Sequence, residues 1–206
     1  CTQCGAQAPK WAGQCADCGA WNSLEETLVS GTASARAARF ADYAPAVVQS
    51  MHEITTGSEV RQPSGLAELD RVLGGGVVEG SVILLGGDPG IGKSTLLLQC
   101  MAALSARQPV LYVTGEESTQ QVSMRAQRLG LSVAALRLLT ETNVERIIAS
   151  AERERPRVLV IDSIQTVYTE ALQSAPGGVA QVRESAAQLV RYAKHTGTAL
   201  FLVGHV

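Results

Sequence analysis

Nowhere in the 206 residues does an apolar run approach the ~18 positions that a membrane-spanning helix needs, nor does the chain open on a basic stretch followed by an apolar one. No spanning helix and no secretory signal are read in these residues, so the expectation is a soluble, cytoplasmic chain with no membrane partner, although absent targeting signals count for less in a sequence that starts without Met. Excess positive charge is missing too: 17 Lys and Arg stand against 19 Asp and Glu, a formal charge of −2. Without a domain-wide basic field, any contact with nucleic acid has to be local. No internal repeat is found. An initiating methionine is also absent, since the chain begins at Cys1 and stops at Val206 directly after an apolar run. That reads as a portion of a longer protein. What is present is a 46% hydrophobic composition, enough to bury a core over a length that holds one domain plus an appendage, or two small domains. A disordered or fibrous chain is excluded.

Four of the five cysteines fall in the first eighteen residues, as Cys1-x2-Cys4 and Cys15-x2-Cys18. Each C-x-x-C pair can turn two thiolates toward one point, and two pairs joined by a short loop complete a tetrahedron around zinc. Gly5 and Gly19 follow the pairs and relieve the backbone where it bends around the metal. Trp11 and Trp21 are expected to pack over the site. Four sulfur ligands leave no position for water, so this zinc is structural and supplies most of the module's folding free energy. The alternative is a disulfide-stapled secreted piece. A zinc ribbon over 1–26 is then followed by a linker over 27–62, rich in Ser, Thr, Ala and Gly and without periodicity. Arg36 and Arg39 in it can touch phosphate or simply be solvated.

From 63 to 206 the pattern changes to alternating apolar strands and amphipathic helices. Strands are predicted at about 81–86, 110–114, 136–139, 157–161 and 198–203, with helices at about 92–107, 118–129, 143–155 and 179–196. This α/β order implies a mostly parallel sheet covered on both faces. Gly87-x4-Gly92-Lys93-Ser94 matches the P-loop. Glycines let backbone N–H groups converge on phosphates beside a helix N-terminus. Over Gly87, Asp88, Pro89, Gly90, Ile91, Gly92, Lys93, Ser94 and Thr95 the loop would hold ATP, with Lys93 on the β- and γ-phosphates and Ser94 on Mg2+. Val158-Leu-Val-Ile-Asp162 is an apolar strand ending in a carboxylate at the sheet edge where ligands sit, which makes Asp162 a water-mediated Mg2+ acid.

Hydrolysis needs a group that orients or deprotonates water. The strand at 110–114 ends in Gly115-Glu116-Glu117, so Glu116 is the candidate base and Glu117 the next. Alternatively these acids only begin the helix that Ser118 caps. Gln165, three residues after Asp162, is placed to sense the γ-phosphate. His205 ends the last strand at the same edge and is either a sensor or a surface histidine. The stretch from Gln165 to Val179, with Pro176-Gly177-Gly178, is too long for a plain connection and is either a DNA-contacting element with Arg183 beyond it or an ordinary surface loop. Cys100, amid Leu97, Leu98, Met101 and Leu104, reads as a core thiol.

Taken together these residues resemble the bacterial RadA (Sms) family of DNA-repair proteins. The likeness is carried by the four-cysteine module continuing from Trp11 to Glu25, by Glu68-Leu-Asp-Arg-Val-Leu-Gly-Gly-Gly76 and by Gly87 to Thr95. It continues in Gly115-Glu-Glu-Ser118, Val160-Ile-Asp-Ser-Ile-Gln-Thr166, Pro176 to Glu184 and Val203-Gly-His-Val206. Gly-Gly-Gly76 and the P-loop are shared with the wider RecA and KaiC-like ATPases, whereas the joined zinc module is more specific. The resemblance implies a RecA-like ATPase that binds single-stranded DNA, forms homo-hexameric rings and drives branch migration of recombination intermediates beside the RecA recombinase. Gly178 departs from the serine typical of the family. The Thr-Lys that usually follows Gly-His-Val, the Lys-Asn-Arg-Phe-Gly motif and the Lon-protease-like domain lie outside this sequence. A second reading is a KaiC-like nucleotide switch whose zinc ribbon docks a protein. A third, a nucleic-acid binder with a degenerate ATPase, is disfavoured because Lys93, Ser94 and Asp162 are all present.

Overall fold

The computed structural model describes residues 1–4, 12–24, 48, 50–53 and 60–205, except for the side chain of His205. Gly5, Trp11, Arg36, Arg39 and most of the expected linker lie outside the described residues. The chain divides into two compact units, Cys1–Thr55 and Thr56–Val206.

In the second unit five strands form one parallel sheet: β1 (Val82–Gly87), β2 (Val110–Thr114), β3 (Arg137–Thr140), β4 (Val158–Asp162) and β5 (Ala199–His205), in the order β1-β5-β4-β2-β3. Helices connect them: α2 (Lys93–Ser105), α3 (Thr119–Arg128), α4 (Val144–Glu154) and α5 (Val179–Thr196), with a shorter α1 (Ala67–Val72) ahead of β1. β2 and β4 are buried along their whole length, as expected for aliphatic runs in a sheet covered on both faces.

Strand parity decides what lies on each face. Leu111, Val113, Leu159, Ile161, Leu200 and Leu202 pack toward α4 and α5 with Ile147 and Leu189. The even positions Val110, Tyr112, Val158 and Val160, with Phe201 of β5, pack toward α2 with Leu97, Cys100 and Met101. Asp162 follows Val158 and Val160 on that α2 face, so the pleat alone brings it to the side of the sheet that carries the P-loop helix. Burial pushes the Cys100 thiol up to about 12, so it stays a protonated core group.

α1 is the element the hydrophobic pattern did not reveal. It has only six residues and buries none fully; Leu69 within it, and Leu66 and Leu73 flanking it, pack partly on the α2-side core. A side chain helps hold this turn, because Asp70 Oδ1 accepts from the buried Ser64 N–H at 2.7 Å. Arg61 and Gln62, placed in the linker by composition, are tied to the same region: Arg61 donates to the Leu73 carbonyl at 2.8 Å and Gln62 pairs antiparallel with Val77. Gly76 cannot carry a side chain there, since a Cβ would stand 2.5 Å from the Gln62 carbonyl oxygen.

Candidate nucleotide site and metal centre

In the first unit the Sγ atoms of Cys1, Cys4, Cys15 and Cys18 all lie within 4.8 Å of one another. Cys1 to Cys18 and Cys4 to Cys15 are each 3.7 Å apart. Four sulfurs about 2.3 Å from a tetrahedral zinc stand about 3.8 Å from each other. A disulfide would close to about 2.05 Å, so the spacing fits one metal and not two bridges. The second pair turns on a short hairpin: Cys15 N–H donates to the Ala20 carbonyl, Gly19 N–H donates back to the Cys15 carbonyl, and Gln14 bridges Trp21. Gly19 takes a φ of +72°, which answers for the glycine. The Cys15 thiol is drawn down to about 7, first by the backbone N–H of Cys18 and then by that of Asp17, which favours the thiolate a metal needs. Trp21 does not pack over the sulfurs as expected. It is 71% exposed and faces Gly13, because its place in the hairpin turns the ring outward.

One metal ion per chain is the expected result of elemental analysis on purified protein, and Cys18→Ser should lose most of it. Stoichiometric disulfides without metal would overturn the assignment.

In the second unit the C-terminal ends of the strands gather the remaining candidates. Gly87, Gly90 and Gly92 adopt φ of +154°, +80° and +100°, values that L side chains rarely take. Nothing lies within 4 Å of where a Cβ on Gly90 or Gly92 would stand, so conformation and not crowding requires glycine there. Lys93 is buried, and its Nζ donates to the carbonyls of Gly87 at 2.7 Å and Asp88 at 2.8 Å, folding the ammonium across the turn. Ser94 and Thr95 follow in the first turn of α2, half-buried, while Asp88, Pro89 and Ile91 are exposed at the loop surface.

Asp162 lies opposite Thr114 in the register of β4 and β2 and is buried, with Oδ2 accepting from the Tyr112 hydroxyl at 2.5 Å. Glu116 reaches the same edge: its Oε1 accepts from the Ser163 hydroxyl at 2.6 Å, one residue beyond Asp162. Glu117 turns elsewhere, into an ion pair with Arg125 of α3 at 2.8 Å. Neither acid belongs to the first turn of α3, which begins at Thr119 behind a capping box of Ser118 and Gln121. Gly115 between strand and acids is dictated by packing, since a Cβ would meet Thr166 Oγ1 at 2.1 Å. Gln165 is half-buried with its Nε2 close to Gly204, which pairs with Gly86 beside the start of the P-loop. His205 pairs through its backbone with Gly87.

The long connection after β4 has a fixed root and an exposed rim. Gln181, buried in α5, accepts from Thr169 N–H at 2.8 Å, and its Nε2 donates to the carbonyls of Thr169, Leu172 and Ser174. Residues 170–180 are exposed, and so is Arg183 one turn further on. Tyr112, Ser163, Arg125 and Gln181 were not singled out by the motifs. For Tyr112 the signal is available: a lone aromatic in an aliphatic strand, two residues before the strand end and on the even face.

An edge of this kind, with a glycine-rich phosphate turn and carboxylates delivered by two neighbouring strands, defines a class: P-loop ATPases of RecA-like fold. The chain belongs to the AAA domain family, whose sequence model matches residues 53–206. Residues 1–26 match the rubredoxin metal binding domain, in keeping with the four-cysteine ribbon. Across its whole length the chain is similar to proteins named DNA repair protein RadA: 62% identical over 206 residues in Pseudomonas aeruginosa, 52% over 211 in Escherichia coli and 48% over 210 in Bacillus subtilis. It spans about half the length of these curated relatives, 46% of each. Among solved structures, a KaiC-like protein from Pyrococcus horikoshii shares the fold with a TM-score of 0.61 at 22% identity, covering 72% of this chain and 71% of that one. Among the described residues no helix is long and apolar enough to cross a membrane.

Proposed function

We propose that the chain is the zinc-ribbon and motor portion of an ATP-driven DNA-repair protein, which binds single-stranded DNA and processes branched recombination intermediates in the cytoplasm. The observation that carries this reading is the 62% identity over the entire chain to a protein named DNA repair protein RadA. A complete set of phosphate-turn and acidic residues at one sheet edge supports the catalytic half of it. The homo-hexameric ring, branch migration and the RecA recombinase as partner belong to the same proposal.

At this site ATP lies with its phosphates in the turn from Gly87 to Thr95, and Lys93 leaves the loop carbonyls to meet the β- and γ-phosphates. Ser94 and, through water, Asp162 would hold Mg2+, which suits an all-oxygen donor set and when bound neutralises charge on the phosphates. Glu116 orients and deprotonates the attacking water, and the Ser163 hydroxyl keeps its carboxylate turned to the edge. Gln165 relays the state of the γ-phosphate toward β5. The exposed rim at 170–180, with Arg183, contacts DNA locally, as a chain of net charge −2 requires.

The test is ATP turnover with and without single-stranded DNA at fixed salt. A severalfold rise is expected. Turnover that ignores DNA, together with no DNA binding, would favour the nucleotide-switch reading instead.

A further inference from the structure

One buried polar side chain takes no part in these steps. Tyr112 stands in the middle of β2 with 0% exposure, its ring in the α2-side core with Leu97, Met101, Val160 and Phe201. A phenylalanine would fill that space as well. What the hydroxyl adds is a single contact: it donates to Asp162 Oδ2 at 2.5 Å. Strand geometry makes the contact possible. Tyr112 pairs with Val160, and Asp162 lies two residues further along the same face, a diagonal that a long aromatic side chain can span. A hydroxyl donating to a carboxylate is among the stronger hydrogen bonds, and the surrounding aliphatic core excludes competing water. Burial first, and then the charge of Asp162, push the phenol well above its ordinary range, so it remains a donor at any working pH.

We propose that Tyr112 is a positioning residue for the metal-facing carboxylate: by occupying Oδ2 it fixes the rotamer of Asp162 and leaves Oδ1 to face the metal and its water. It thereby sets how tightly the site takes a magnesium-bound nucleotide while touching neither metal nor nucleotide. The inference rests on the reading of Asp162 as the metal acid. Removal of the hydroxyl leaves a buried carboxylate oxygen without its donor, which frees the side chain to turn or to draw in water.

Nucleotide affinity should be measured with a fluorescent ATP analogue, across a Mg2+ titration and in chelator, for wild type, Tyr112→Phe and Asp162→Asn. In Tyr112→Phe, affinity in chelator should stay within about twofold of wild type, while the Mg2+ concentration for half-saturation rises about tenfold. A role confined to core stability would lower the melting temperature without moving that midpoint. Asp162→Asn separates the two claims. If wild type shows no Mg2+ dependence, or Asp162→Asn keeps it, the metal-acid reading itself fails. If Asp162→Asn loses it and Tyr112→Phe matches wild type, the positioning role is overturned. Should Tyr112→Phe not fold, wild-type protein carrying ring-labelled tyrosine answers the question by NMR. The Tyr112 Cζ resonance should move on adding nucleotide with Mg2+ and stay in place with nucleotide in chelator; no difference between the two overturns the proposal.

Discussion

Replacing Lys93 with alanine is expected to weaken ATP binding by about 10- to 100-fold and to take hydrolysis below detection. In the structure the ammonium is buried in its own loop, held by the carbonyls of Gly87 and Asp88. Those carbonyls lie at a half-buried and an exposed residue, so water can replace the lysine when it is gone. The fold should therefore survive, and the melting temperature should shift by no more than a few degrees. Among the described residues no second lysine is placed to replace it at the phosphate turn. Of the remaining lysines, Lys10 lies outside the described residues and Lys194 sits in the last turn of α5, which leads into the opposite edge of the sheet. Calorimetric titration with ATP, alongside a turnover assay, reads both effects. Wild-type affinity in Lys93→Ala would place the phosphates elsewhere.

Glu116→Gln should behave differently, keeping nucleotide affinity within about twofold while slowing hydrolysis by roughly a hundredfold or more, the usual weight of a general base. The amide can still accept from Ser163, so the side chain stays in place and only its basicity is lost. Glu117→Gln is the internal comparison. Glu117 is committed to Arg125, which is 12% exposed, and its loss should be felt in α3 packing more than in turnover. Single-turnover kinetics on both variants decide between them. Unchanged hydrolysis in Glu116→Gln with a large loss in Glu117→Gln would move the base by one residue.

The P-loop and the strand carrying Asp162 were legible because each couples a periodic pattern to a chemical signature: glycines before Gly-Lys-Ser, and an aliphatic run ending in a carboxylate. Element bounds came within a residue or two for the same reason, since α3 and α4 begin at capping residues, Ser118 and Asn143, that announce themselves. α1 escaped because six residues without a fully buried side chain leave no helical stripe. The outward turn of Trp21 escaped because an aromatic beside a metal site gives no hint of which side of its hairpin it will occupy. Pairwise contacts were the other hidden layer. Composition places Glu116 and Glu117 side by side, yet only the geometry sends one toward Ser163 and the other toward Arg125. In the same way Pro176-Gly177-Gly178 reads as a loop, whereas the buried amide of Gln181 that holds its root is visible only once α5 is in place.

A crystal structure of the Glu116→Gln variant with ATP and Mg2+ tests the placement of nucleotide, metal and base at this sheet edge. The triphosphate is expected in the turn from Gly87 to Thr95, with Lys93 on the γ-phosphate, the metal on Ser94 with a water to Asp162, and residue 116 within hydrogen-bond reach of a water in line with the γ-phosphate. A nucleotide bound away from that turn, or a metal with no path to Asp162, would contradict this placement.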